Sequence, residues 1–257
     1  MVKNILDKLK IAIDQSSKID EPDKNILGID VGGCIGEFVL EIESICSNVL
    51  CFEPNPTNLD ILKPKIEEYT NIKLYECCLS DINGHSSLYN LKGEDIPNSR
   101  NGTCGLRCGG EKICDVSVYR LDTILDEYDD VLIKFIKIDT EGNDSNIIKG
   151  MGKYLYQTQY LMFEMSCLSD FRGNGLPAPK KDIVDYLDSY GFDVYMIRSE
   201  EGLTKINGNE WDSKMETSNE YQGDCFCIKK SDSVIDKLIG NIYDTDGDIF
   251  KKDIFLV

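Results

Sequence analysis

Short apolar runs alternate with longer stretches of helical spacing along most of this chain, and that alternation narrows the fold more than any single motif does. ILGIDV (26–31) and NVLCFE (48–53) read as buried strands, with a helix over 35–46 between them. A second helix, over 56–69, opens on Pro56, and a third strand, IKLYECCL (72–79), follows. HSSLYNL (85–91) and KICDVSVY (112–119) read as exposed strands flanking a polar loop at 92–111. LDTILDEY (121–128) is a short helix before the central strand LIKFIKID (132–139). A helix over 145–156, the strand YLMFEM (160–165), a helix over 179–190 and the strands FDVYMIR (192–198) and CFCIKK (225–230) complete the pattern. Such alternation specifies an α/β fold, a doubly wound parallel sheet with helices on both faces. No repeat and no linker rich in Pro, Gly or Ser interrupts it. One domain over 1–257 is expected, with a helical extension at 1–24, a core at 25–230 and a C-terminal extension at 231–257. The polar segments 92–111 and 199–222 are expected at a sheet edge or over a ligand crevice.

The formal net charge of −18 disfavours nucleic acid as the main partner, because a phosphate backbone is gripped by Lys and Arg. No run approaches the roughly 20 apolar residues that span a bilayer. The opening MVKNILDKLKIAIDQ has the spacing of an amphipathic helix and lacks the features of a secretory signal. Eleven cysteines without such a signal read as reduced thiols in a cytoplasmic protein. Cys104, Cys108 and Cys114 lie close together in NGTCGLRCGGEKIC, but zinc needs a fourth ligand that the spacing does not supply, so free thiols in a loop are expected. Cys225 and Cys227 alternate as on one face of a strand. The tail NIYDTDGDIFKKD fails as a calcium loop: with Gly247 sixth, Ile242 falls where the first oxygen ligand belongs. His85, the single histidine, reads as an exposed turn residue.

The loop after the first strand, NILGIDVGGCIG, carries the chemistry. A dinucleotide fingerprint ending at Gly36 needs glycines at 31 and 33, and position 31 is Val. No Gly-Lys-Ser/Thr follows, so a Walker loop fails too. What remains is Asp30 followed by Gly32, Gly33 and Gly36. A carboxylate at the strand end repels pyrophosphate and suits a cationic ligand such as S-adenosylmethionine. Glu53 ends the second strand, where a carboxylate can accept both ribose hydroxyls.

With these residues in place, the chain resembles the FkbM family of S-adenosylmethionine-dependent methyltransferases. The resemblance runs through IDVGGCIG, NVLCFEPNPTNLDILK, CLSDINGHSSLYN, VYRLDTILDE, FIKIDTEGNDSNIIKGM and FEMS, roughly residues 25–170. It implies a Rossmann-like class I methyltransferase domain with a seven-stranded, mostly parallel sheet whose last strand is antiparallel. It also implies O-methylation of a small-molecule or glycan hydroxyl. Cys34 departs from the family's usual Asn, and the segment 99–114 has no family counterpart. On this reading Asp30, Gly32, Gly33 and Gly36 serve the methionine end of the cofactor and Glu53 the ribose. Ser80 and Asp81 reach the adenine. Asp139 contacts the cofactor's amino group or acts as base or orienter of the acceptor. Glu141 and Glu164 flank the acceptor. A divalent metal among Asp139, Glu141 and Glu164 stays open, as does helix capping by Asp139 and Glu141. Two other readings stand beside this one: ribose 2′-O-methylation of RNA, and an inactive cofactor-binding interaction module.

Overall fold

The computed structural model describes residues 25–90, 104–106, 110–128, 130–165, 179–197, 202–217, 221–232, 239–240 and 253–256. The strands are β1 (Asn25–Val31), β2 (Asn48–Phe52), β3 (Ile72–Tyr75), β4 (Cys78–Leu79), β5 (Gly84–Asn90), β6 (Cys104–Gly105) and β7 (Lys112–Tyr119). They continue with β8 (Val131–Ile138), β9 (Thr158–Met165), β10 (Phe192–Ile197), β11 (Gly202–Lys205), β12 (Gly223–Lys229), β13 (Ile239–Gly240) and β14 (Asp253–Leu256). The helices are α1 (Glu37–Glu43), α2 (Pro56–Ile66), α3 (Leu121–Leu125), α4 (Asp144–Gly150), α5 (Lys180–Ser189) and α6 (Lys214–Thr217).

The main sheet runs β13-β14-β11-β10-β12-β9-β8-β1-β2-β3. β3, β2, β1, β8 and β9 pair in parallel, and β12 inserts antiparallel between β9 and β10. These seven strands are the expected class I methyltransferase sheet with its last strand reversed. The sheet is wider than expected, since β11, β14 and β13 continue it antiparallel beyond β10. Two of those strands fall in the C-terminal extension, and β11 falls in the polar stretch after residue 198. The N-terminal helix, the calcium-like turn and Cys108 lie outside the described residues. Among the described residues no helix is long and apolar enough to cross a membrane.

Helices cover both faces because the central strands are apolar on both. Leu27, Ile29 and Val31 of β1 face a core built with Leu121 and Leu125 of α3, Ile147 and Ile148 of α4 and Ile183 of α5. The opposite face packs Val49 and Phe135 against Val39 and Ile42 of α1 and Leu62 of α2. Asn55 caps α2 by accepting the Thr57 amide at 3.0 Å, and Pro56 follows at the first helical position.

IKLYECCL does not form one strand. The chain leaves the main sheet after Tyr75, and Cys78–Leu79 joins a second sheet of order β4-β7-β5-β6. HSSLYNL and KICDVSVY pair with each other there, over a small core of Cys78, Leu88, Val116 and Val118. His85 is exposed, as expected, but sits in β5 and not in a turn. The helix expected over 145–156 breaks at Gly152, which takes a left-handed φ of 53°, and 3-10 turns follow over Gly152–Gln157.

Candidate functional site

The carboxyl ends of β8, β1 and β2 meet at a cleft, where ligands bind in sheets of this kind. Its floor is the glycine loop. The Gly32 and Gly33 amides both donate to the Phe52 carbonyl, at 2.9 and 3.0 Å, which ties the loop to β2. Gly32 has φ 83°, and a Cβ there would lie 2.0 Å from the Asp139 carbonyl oxygen. Only glycine lets the two strand ends approach this closely. Gly36, at φ 87°, occupies the N-cap position of α1 and lines no part of the cleft. Cys34 also takes a left-handed conformation, φ 49°, which keeps its amide pointing at Glu53.

Glu53 lies at the end of β2 and is nearly buried. Its carboxylate accepts the Cys34 amide at 2.7 Å, the Asn55 amide at 2.8 Å and the Asn58 side chain at 3.3 Å. Burial outweighs those donors and raises its pKa to about 7. The residue still lines the cleft, with Asn58 and Pro54 beside it.

Asp30 and Lys137 lie directly opposite each other in the β1–β8 register. Asp30 is fully buried, and neither carboxylate oxygen has a hydrogen-bond partner among the described residues. Desolvation raises its pKa to about 6, against the nearby Lys137 charge. Lys137 is itself buried, which disfavours its charge, but Asp30 and Asp139 overcome this and raise its pKa. Its ammonium sits 3.1 Å from Asp139 Oδ2 and 4.3 Å from the centre of the Phe38 ring. The Asp139 side chain is 43% exposed and the Lys137 side chain 5%, so Asp139 is the member of the group that projects furthest into the cleft. Asp30 lies beneath the loop and lines neither part of the cleft; its influence on a ligand in this geometry is electrostatic.

Asp144, the first residue of α4, braces the site from behind. It is fully buried, accepting the Thr140 hydroxyl at 2.8 Å and amide at 3.3 Å on one oxygen and the Glu164 amide at 3.2 Å on the other. Burial, then the Asp139 charge, raises its pKa to about 7. Glu164 ends β9 opposite Asp224 of β12, and burial and the Asp139 charge raise it to about 7 as well. Asp224 is raised for the same reasons. Asn143 holds the N-cap position of α4, and Asp139 is occupied by Lys137.

The cleft lies between Gly32, Cys34, Glu53, Asn58, Asp139, Thr140 and Asn143 on its polar side and Phe52, Cys77, Cys78, Leu79, Leu88 and Leu106 on its apolar side. A shallower part continues past Gly33, Phe38, Lys137 and Glu141. Gly32, Gly33, Glu53, Asp139 and Glu141 are thus brought to one opening. Ser80 and Asp81 are not: neither lines it. The Ser80 hydroxyl donates to Asp81 at 3.1 Å, and Arg120 holds the Asp81 carbonyl at 2.7 Å. Their place is taken by Cys77, Cys78 and Leu79, because the third strand ends four residues earlier than its apolar pattern suggests. Among the described residues no group of three His, Cys, Asp or Glu side chains comes together as a metal site. Eight cysteines, Cys34 and Cys114 among them, are free thiols, and Cys225 and Cys227 are buried in the same core.

Sequence reasoning missed Lys137, Asn58, Asn143, Asp144 and the apolar wall. A lysine within LIKFIKI was the one available signal, since a buried strand tolerates it only with a partner.

The raised carboxylates give a pH prediction. A carboxylate whose folded pKa exceeds its unfolded one contributes stability below the unfolded value and loses it as pH rises through the folded one. For Asp30, Glu53, Asp144 and Glu164 that window runs from about 4 to about 7. The ligand-free protein is therefore expected to melt at a lower temperature at pH 8 than at pH 5. A cationic ligand favours the ionised carboxylates, so its stabilising effect is expected to grow over the same range. Thermal melts with and without S-adenosylmethionine measure both; a ligand-free melting point that is flat or rising between these pH values would contradict the assignment.

The polar side accepts hydroxyl and ammonium donors, and the anionic ground behind it favours a cation. Glu53 keeps one unused lone pair for a hydroxyl, and a polar wall faces an apolar one, as in small-ligand sites. These features fit an adenosyl cofactor carrying a cationic methionine end.

Residues 30–194 match the family described as the methyltransferase FkbM domain. No curated protein matches. Solved structures resemble the chain at low identity. Precorrin-6y C5,15-methyltransferase from Geobacter metallireducens aligns at 12% identity over 86% of this chain and 88% of its own, with a TM-score of 0.40. SMU.1697c from Streptococcus mutans, solved with SAH, aligns at 12% over 86% and 97%, with a TM-score of 0.42. An rRNA methylase from Streptococcus thermophilus aligns at 12% over 85% and 94%, with a TM-score of 0.41.

Proposed function

The chain belongs to the FkbM methyltransferase family, and on that premise we propose that it transfers a methyl group from S-adenosylmethionine to a hydroxyl of a small polyhydroxylated acceptor, a sugar or glycan. The observation that carries this reading is the convergence of Gly32, Glu53 and Asp139 on one cleft at the ends of three adjacent strands. When bound there, S-adenosylmethionine supplies an electrophilic methyl group on a sulfonium. The chain's own residues do the rest. Glu53 accepts one ribose hydroxyl with its remaining lone pair on Oε2. Asp30, buried beneath the glycine loop, favours the cationic end. Asp139 faces the opening, where it would take the proton of an acceptor hydroxyl. Glu141 offers acceptors to neighbouring hydroxyls, which suits a polyol and repels a polyanion, while Glu164 lies outside the cleft lining, its amide held by the Asp144 carboxylate.

The test is methyl transfer by the full chain from labelled S-adenosylmethionine to a panel of sugars and glycans, with calorimetry for S-adenosylhomocysteine. Label incorporated into a sugar hydroxyl supports the proposal. No cofactor binding at millimolar concentration would sink it, and label found only in RNA would replace the acceptor class.

A further inference from the structure

We propose that Leu106, contributed by the Cys- and Gly-rich segment, closes the base end of the cleft and sets the protein's affinity for the adenine part of its cofactor. The proposal rests on the reading of this cleft as an adenosyl site and adds to it a residue and a purpose for a segment that the sequence left unexplained.

Both flanks of that segment are fixed to one place. Cys104 and Gly105 form β6, paired antiparallel with Tyr89 and Asn90 at the end of β5. On the far side, the Gly110 amide donates to the Asn90 carbonyl at 2.9 Å, and the Asn90 amide donates to the Glu111 carbonyl at 3.1 Å. Leu106, next after β6, packs on the small core of the second sheet formed by Cys78, Leu88, Val116 and Val118. It also lines the cleft, beside Leu88, Cys78 and Leu79.

The order of strands says which part of a ligand lies there. Asp139 follows β8, Gly32 follows β1, Glu53 follows β2 and Cys77 follows β3, and these four strands are consecutive neighbours. A cofactor whose ribose meets Glu53 and whose methionine end lies over Gly32 and Asp139 places its remaining part over Cys77 and the second sheet. That part is a flat base with apolar faces, and the surface offered to it is apolar. Ser80 and Asp81, the groups expected to meet the base, are held away from it. Contact area with Leu88 and Leu106 takes the place of a polar contact from that pair.

The experiment compares the full-length chain with Leu106→Ala by calorimetry, using S-adenosylhomocysteine and 5′-methylthioadenosine, which lacks the amino-acid end. Leu106→Ala is expected to weaken both ligands by about 10-fold, a size set by loss of one apolar contact, with their ratio unchanged. Leu106→Met is expected to bind both within about threefold of the parent, since it restores the contact. Thermal melts confirm folding, and Leu106→Gln, of similar size, replaces the alanine variant if that one does not fold. Unchanged affinity for both ligands would overturn the proposal, as would weakening of S-adenosylhomocysteine alone, which would put Leu106 at the other end. If the parent chain binds neither ligand, the reading of the cleft fails and the proposal with it; if the parent binds and the variants match it, only the role of Leu106 fails.

Discussion

Asp139→Asn is expected to slow methyl transfer by about 10²–10⁴-fold, the usual contribution of a positioned base, while S-adenosylhomocysteine binds within about threefold of the parent. The amide keeps the size of the carboxylate and one acceptor oxygen, but it cannot take a proton. Lys137 keeps Asp30 directly opposite it in the β1–β8 register, so its charge stays partnered and the strands stay paired. Steady-state rates at saturating cofactor, set beside calorimetry, separate two roles. A base loses turnover alone. A residue that only holds the cofactor's ammonium loses affinity and recovers its rate at saturation, and that outcome would move Asp139 from the chemistry to the binding of the methionine end.

Gly32→Ala is expected to abolish cofactor binding and lower stability by about 3 kcal/mol or more. Two effects act together. At φ 83° any side chain is strained, and the new methyl would sit 2.0 Å from the Asp139 carbonyl oxygen, which is backbone and cannot rotate away. Relief requires parting the ends of β1 and β8. That disturbs the Asp139 amide bond to the Val31 carbonyl at 3.0 Å and the Gly32 bond to Phe52. Gly84→Ala is the control, because a Cβ there meets nothing within 4 Å. Melting and calorimetry on both variants give the answer; a Gly32→Ala chain that binds as the parent does would show that the loop is looser than its geometry.

The parts of the site that could be read from the sequence are those fixed by local pattern. A strand, a glycine turn and a helix place Gly32 at a carboxyl end. The same logic places Glu53 and Asp139 at the ends of their own strands, so three residues far apart in sequence converge once the strands are adjacent. Ser80 and Asp81 lie outside the cleft because IKLYECCL, which reads as one strand, is split between two sheets. Nothing in that pattern marks the point after Tyr75 where the chain changes sheets. Lys137, Asp144 and Asp224 were invisible for another reason: each matters through a partner on a different strand. Lys137 faces Asp30 across β1–β8, Asp144 reaches the Glu164 amide, and Asp224 lies opposite Glu164 in β12–β9. Such pairs follow from register, which a single sequence does not state. The extra strands β11, β13 and β14 are short and border polar stretches, so their periodicity is too brief to distinguish from loop.

The central place of β1 also bears on how this protein is made. It emerges from the ribosome before either of its neighbours, and β2 covers one of its edges soon after. Its other edge is completed only by residues 131–138. Until then an apolar strand carries a row of open amides and carbonyls, with Asp30 still lacking its counter-charge. A nascent chain in that state offers a template for unwanted pairing, and the long wait for a distant partner slows closure of the sheet. The arrangement that gathers the site at the middle of the sheet therefore leaves the growing chain dependent on protection until β8 has emerged.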